Sequence, residues 1–144
     1  MLLAPLFKQD NTVADIFPCK IVTPTEECFD GQATYVSFPS WDGQYGMMKG
    51  LAPLLSRLAP GTLRIDTEGE SRSYLIEGGF AHVDSEGLSL VTEGAILAEE
   101  LNLEEAKAEL AEANARVISD VKDRVAVERA QKIATAKVAL ASKS

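Results

Sequence analysis

The sequence predicts an all-β sandwich followed by an antiparallel α-helical hairpin, and three observations carry that class. All 10 glycines and all 6 prolines lie between Pro5 and Gly94. Within that stretch, turn-forming residues recur about every 8–12 residues and separate short runs of alternating or β-branched residues, which is the spacing of a sandwich or barrel. From Asn102 onward, 11 of the last 43 residues are Ala, and apolar residues recur three and four apart, as on one face of a helix. The expected organisation is an irregular leader over residues 1–16, a β-sandwich over 17–95 and a helical hairpin over 101–144.

The strands follow from the punctuation at Pro24, Gly31, Pro39, Gly50, Pro60-Gly61, Gly69, Gly78-Gly79 and Gly87. Between these marks lie Cys19–Thr23, Thr34–Phe38, Thr62–Ile65, Ser73–Ile76 and Leu88–Val91. In Leu88-Ser89-Leu90-Val91 alternation places one face in a core and the other in water. The glycine cluster from Gly43 to Gly50 reads as a tight loop between strands. In the first helix Leu103, Ala106, Leu110, Ala113 and Val117 form a narrow seam, and Asn102 is its expected N-cap with Glu105 as partner. A second seam runs through Ala126, Ala130, Ile133, Ala136 and Leu140 behind Asp120 as cap. Ile118-Ser119-Asp120 is then the bend of the hairpin.

Charge divides at the same place. The chain carries a net charge of −8, which argues against a nucleic-acid surface, because phosphate binding needs a clustered positive field. Residues 1–100 hold 15 acidic and 6 basic side chains, whereas residues 101–144 hold 7 acidic and 8 basic. From Val121 the basic excess includes Lys122, Arg124, Arg129, Lys132, Lys137 and Lys143, which reads either as a solvated helix face or as a surface for an acidic partner. The most apolar segment, Met1–Phe7, stops at Lys8 without a basic leader. It is too short for a signal peptide or a membrane span, so a soluble intracellular protein is expected, with no direct membrane insertion. Asp10 and Asp15 are also unlike a transit peptide.

Catalytic chemistry is sparse. The chain has one histidine, His82, which alternation within Ala81-His82-Val83-Asp84 places on the solvent side of a strand. No nucleophile elbow, zinc-protease motif or phosphate loop occurs. Cys19 and Cys28 lack metal-ligand spacing and read as packed thiols. No catalytic residue, metal or cofactor is expected.

Several segments resemble, in order, the epsilon subunit of F-type ATP synthases, called delta in mitochondria. Ile21-Val22-Thr23-Pro24 through Asp30-Gly31 is similar to the family's "IVTP…DG" opening. Gly43-Gln44-Tyr45-Gly46-Met47-Met48, then Ala52-Pro53-Leu54-Leu55 and Pro60-Gly61-Thr62-Leu63-Arg64-Ile65, resemble its "GxxGIxPGHAPLL…PGxLxI" core. Gly78-Gly79-Phe80-Ala81-His82-Val83 is similar to "GGFxEV", and Val91-Thr92-Glu93-Gly94-Ala95 to "LxxxA". The resemblance implies a non-catalytic subunit of the rotor stalk, linking the gamma subunit to the membrane ring, with a hairpin able to restrain ATP hydrolysis. It implies a peripheral position on the cytoplasmic side of a bacterial inner membrane, or less readily on the matrix side of the mitochondrial one. A contact loop of Trp41, Asp42, Gln44, Tyr45, Met47 and Lys49 would face the ring or gamma. In the raised hairpin Arg124, Arg129 and Lys132 would meet the alpha and beta subunits, at the acidic lower edge of beta.

Two departures accompany the resemblance. The family's "PGH" stands here as Lys49-Gly50-Leu51. The "IDxxRA" of nucleotide-binding members reads Leu101-Asn102-Leu103-Glu104-Glu105-Ala106, with Asn102 for Asp and Glu105 for Arg, so no ATP site is expected. The alternative class is a free-standing ligand-binding or adaptor sandwich, and an enzyme built around His82 and the glycine cluster is a third.

Overall fold

The computed structural model describes residues 16–47 and 53–143, and the expected leader therefore lies almost wholly outside the described residues. Eight strands run in the order β1 (Phe17–Val22), β2 (Glu27–Ala33), β3 (Tyr35–Ser40), β4 (Gly43–Met47), β5 (Leu54–Thr67), β6 (Glu70–Asp84), β7 (Gly87–Thr92) and β8 (Ala95–Leu97). A single 3₁₀ turn (Ala98–Glu100) leads to helices α1 (Leu103–Ala115) and α2 (Val121–Ser142).

Hydrogen bonding forms one continuous path, β2-β1-β7-β6-β5-β3-β4, with β8 also on β6. The path doubles over because β5 and β6 are 14 and 15 residues long and serve both layers. The second half of β6 pairs with β7 (Gly79↔Thr92 through Asp84↔Gly87), and its first half with β8 (Tyr74↔Leu97 to Ile76↔Ala95). Tyr74 closes the fold across the layers: its hydroxyl donates to the Cys28 carbonyl on β2 at 3.5 Å, and the Arg72 guanidinium lies 5.8 Å from the centre of the Phe29 ring.

Four of the expected turn marks lie inside strands: Gly31 in β2, Pro39 in β3, Pro60-Gly61 in β5 and Gly78-Gly79 in β6. Pro60-Gly61 and Gly78-Gly79 mark the bend of the long hairpin, where the register passes from Leu58↔Gly79 to Pro60↔Glu77. Bends and bulges of this kind turn sandwich corners, and they recruit the same Gly and Pro that make turns. The expected loop over Gly43–Gly50 is also corrected, since Gly43–Met47 is an edge strand on β3. Gly46 serves packing there: a Cβ on it would meet the Tyr35 ring and hydroxyl, so glycine marks a close approach within a strand.

The core joins both layers. Cys19, Ile21, Leu88 and Leu90 meet Val36, Phe38, Leu63, Ile65, Tyr74 and Ile76 in one buried cluster. Leu75, between two core residues and so on the opposite face, is also fully buried, because the chain after β8 and helix α2 pack on β5 and β6. The run Tyr74-Leu75-Ile76 thus belongs to a strand covered on both faces.

The hairpin starts as expected. Asn102 Oδ1 accepts from the Glu105 amide at 3.0 Å and Asp120 Oδ1 from the Asp123 amide at 2.8 Å. The seams are phased differently, however. Ala126 is exposed, and the buried positions of α2 are Val127, Ala134, Leu140 and Ala141. Val117 lies beyond α1 and is 86% exposed. Alanines on several sides of α2 make the apolar stripe too diffuse to fix its phase, so the larger Val127 and Leu140, both buried, decide it.

Candidate functional site

The surfaces that the sequence singles out fall at three places. The first is the β3–β4 hairpin. At its tip Trp41 is 70% exposed, while its amide donates to the Arg57 carbonyl at 3.0 Å. Asp42 and Gln44 are exposed, and Gln44 Nε2 donates to Ser37 Oγ at 2.8 Å and the Thr62 carbonyl at 3.1 Å. Tyr45 packs at 5.7 Å, tilted, against Phe38, and Met47 is buried. The expected contact set is therefore split: Trp41, Asp42 and Gln44 face outward, Tyr45 and Met47 turn into the core because β4 is a strand, and Lys49 lies outside the described residues.

The second is the outer face of the β1-β7-β6-β5 layer, which sequence reasoning missed. Phe80 stands between Arg57 on β5 and Val91 on β7, with Val91 beside Val22 on β1. The next row holds Leu55, His82 and Ser89. Leu55, Phe80 and Val91 are all more than half exposed, at 70%, 52% and 55%. The signal was present in Phe80-Ala81-His82-Val83 and Leu90-Val91, where apolar residues occupy both strand faces although one was expected in water. His82 is on this solvent side, as expected, with Nδ1 3.7 Å from Asp84 Oδ2.

The third is α2 and the cleft of about 560 Å³ that it forms with the sandwich, lined by Trp41, Arg57, Phe80, Val125, Arg129 and Lys132 among others. Arg124 and Lys132 are exposed. Arg129 is engaged already: its guanidinium donates to the Glu77 carbonyl and lies 3.2 Å from Glu93 Oε2. Lys137 pairs with Glu109 on α1 at 2.9 Å. Arg124, Arg129 and Lys132 therefore do not form one free basic face, because Arg129 is turned onto the sandwich.

The cysteines differ from each other. Burial pushes the Cys19 thiol up to about 12. Cys28 is only partly buried, and its thiol is raised first by desolvation and then by the Glu26 carboxylate beside it. Because the thiolate is the reactive form, iodoacetamide at about pH 8.5 is expected to modify Cys28 in the folded chain and Cys19 only after unfolding; equal labelling of the two, read by peptide mass, would contradict the burial of Cys19. Among the described residues no three His, Cys, Asp or Glu side chains gather into a metal-binding group, and no helix is long and apolar enough to cross a membrane.

Comparison with known proteins gives a consistent result. The model of the ATP synthase delta/epsilon chain β-sandwich domain matches residues 16–98. The ATP synthase epsilon chain of Rhodopirellula baltica is 38% identical over 95 residues, covering 66% of this chain and 74% of that one. The epsilon chain of Nitratidesulfovibrio vulgaris is 31% identical over 112 residues, 78% of this chain and 83% of that one. Among solved structures, a chain of the Euglena gracilis mitochondrial ATP synthase, determined with its OSCP, F1 and c-ring parts, superposes with a TM-score of 0.77 at 26% identity, covering 89% of this chain and 81% of that chain. A chain of the Tetrahymena thermophila mitochondrial ATP synthase central stalk and c-ring shares the fold, with a TM-score of 0.66 at 16% identity over 87% of this chain and 96% of that chain.

Proposed function

The chain belongs to the ATP synthase delta/epsilon family, and from that premise we propose that it is a subunit of the central rotor stalk of an F-type ATP synthase, without an active site of its own. The observation that carries this reading is the bare apolar sheet face of Leu55, Phe80 and Val91. The outer face of the other layer is covered by the chain's own hairpin, which buries Leu75; on this one α2 reaches only the Phe80 edge, across the cleft, and all three large side chains stay more than half exposed, the mark of a surface that a partner covers. Its occupant is the gamma subunit.

The outward-facing tip of the β3–β4 hairpin, with Trp41, Asp42 and Gln44, meets the membrane ring. Trp41 supplies contact area, and Asp42 and Gln44 set register. The protein is then peripheral, held on the cytoplasmic side of a bacterial membrane by its partners. The hairpin restrains hydrolysis when it leaves the sandwich and rises toward the alpha and beta subunits, where Arg124 and Lys132 meet acidic side chains.

Assembly tests the reading. Asp substitution at both Phe80 and Val91 places two charges in the gamma contact while leaving the isolated fold intact, since both side chains are solvent-facing. The subunit is expected to co-purify at one copy per alpha3-beta3 head in its natural form and to fall to less than a tenth of that in the double variant, with Ser89→Asp in the neighbouring row as a milder control. Full retention of the double variant would refute the proposed face.

A further inference from the structure

We infer that Arg129 is a latch that holds the hairpin on the sandwich by completing the hydrogen bonding at the point where β6 changes partner. Between Ile76↔Ala95 and Gly79↔Thr92, β6 passes from β8 to β7. The Glu77 amide is met there by the Gly94 carbonyl at 3.1 Å, so the Glu77 carbonyl faces the same edge, where the Gly94 amide that would return the bond is turned instead to Thr92 Oγ1 at 3.4 Å. The Glu77 carbonyl is thus left at a gap in the ladder, and the Arg129 guanidinium from α2 fills it while reaching the Glu93 carboxylate at 3.2 Å.

Both contacts leave one guanidinium nitrogen, Nη2, whose two N–H groups are held in the guanidinium plane, whereas an ammonium is a compact, strongly hydrated charge on a flexible stem. Glu93 and Gly94 form the turn between β7 and β8, so both acceptors belong to one corner of the sandwich. The remaining charged pair that holds α2, Lys137 with Glu109, ties it to α1 rather than to the strands. Among the ion pairs of the described residues, Arg129–Glu93 is the one between hairpin and sandwich.

The latch has a regulatory consequence that rests on the rotor-stalk reading. Arg129 is spent on the lowered hairpin, so weakening its sandwich partner favours the raised, restraining form without removing any cation from α2. Glu93→Gln and Arg129→Glu therefore act differently, because the first frees the cation and the second destroys it.

Amide hydrogen exchange on the full chain tests the latch. An exposed ion pair is worth little by itself, so Glu93→Gln is expected to speed exchange of α2 amides between Val127 and Ala134 by about two- to threefold. Arg129→Ala, which also strips the Glu77 carbonyl of its donor, should speed it by about tenfold, and Arg129→Lys should fall between. Sandwich amides remain protected in all three. Raising salt should loosen α2 in the natural chain but have little further effect in Glu93→Gln, a response that loss of mere packing would not produce. Exchange in Arg129→Ala equal to that of the natural chain at low salt would overturn the latch. In the assembled complex Glu93→Gln should slow ATP hydrolysis; if α2 loosens in the isolated chain but hydrolysis is unmoved, the latch stands and the restraining role of the hairpin fails.

Discussion

Replacing Gly79 by Ala is expected to destabilise the sandwich by about 3–5 kcal/mol, through backbone strain and a backbone clash together. Gly79 has φ +123°, and a Cβ built on it would lie 2.0 Å from the Val91 carbonyl oxygen and 2.7 Å from the Thr92 Cα. Non-glycine residues in such conformations cost about 1–3 kcal/mol. The obstructing atoms belong to β7 itself, so no side-chain rotation can relieve the contact. Gly43 is the control: its φ is +140°, but nothing lies within 4 Å of the added Cβ, so Gly43→Ala carries the conformational part alone. Urea unfolding followed by far-ultraviolet circular dichroism should show a much lower midpoint for Gly79→Ala than for Gly43→Ala. Equal midpoints would mean that β7 can shift away from β6 freely, and that the bend is not the rigid corner described.

Gly79 also illustrates what the sequence made legible. Gly-Gly dipeptides and Pro-Gly dipeptides read as punctuation, and they do interrupt regular pairing here. Whether they interrupt it by reversing the chain or by bending a long hairpin depends on which strands lie opposite, and that is a non-local fact. Local signals were sufficient where the chemistry was local. Asn102 and Asp120 cap helices through amides three residues away, and a side chain oxygen at that spacing needs no tertiary partner.

The candidate surfaces were less legible for the same reason. Met47 and Tyr45 look like contact residues when Gly43–Met47 is read as a loop; once β4 pairs with β3, Met47 is buried in the core and Tyr45, partly buried, packs against it. Phe80 and Val91 looked ordinary singly; only the register Phe80↔Val91 brings them together. Arg129 looked like one member of a basic face, and its carbonyl acceptor exists because β6 changes partner 52 residues earlier in the chain. Sequence order gave no sign of that gap.

The hairpin should come away from the sandwich as a unit, and Ala134→Asp is expected to release it. Ala134 is 2% exposed in α2, and burying an unpaired carboxylate costs several kcal/mol, to which the lower helix propensity of Asp adds roughly 0.5 kcal/mol. The seam cannot absorb that loss. Its other buried residues on the two helices are Val127, Leu140 and the alanines Ala106, Ala113 and Ala141, and each methyl-sized group of those alanines contributes only about 0.8 kcal/mol. The core cluster, by contrast, is built from strand residues, with no member from either helix. What the sandwich loses is the cover over Leu75, worth about 2 kcal/mol when a leucine returns to water. The variant should therefore lose helical signal and α2 protection while retaining a cooperative sandwich transition, lowered by no more than roughly 2 kcal/mol. Leu63→Ala, inside the core, should lower it by about 2–5 kcal/mol. Ala126→Asp, on the exposed side of the same helix, should change neither, which separates the observed phase of α2 from the one expected from its alanine spacing. Collapse of the sandwich transition in Ala134→Asp would show that strands and helices fold as one unit, and a hairpin so bound could not rise along a rotor without unfolding the part that holds it there.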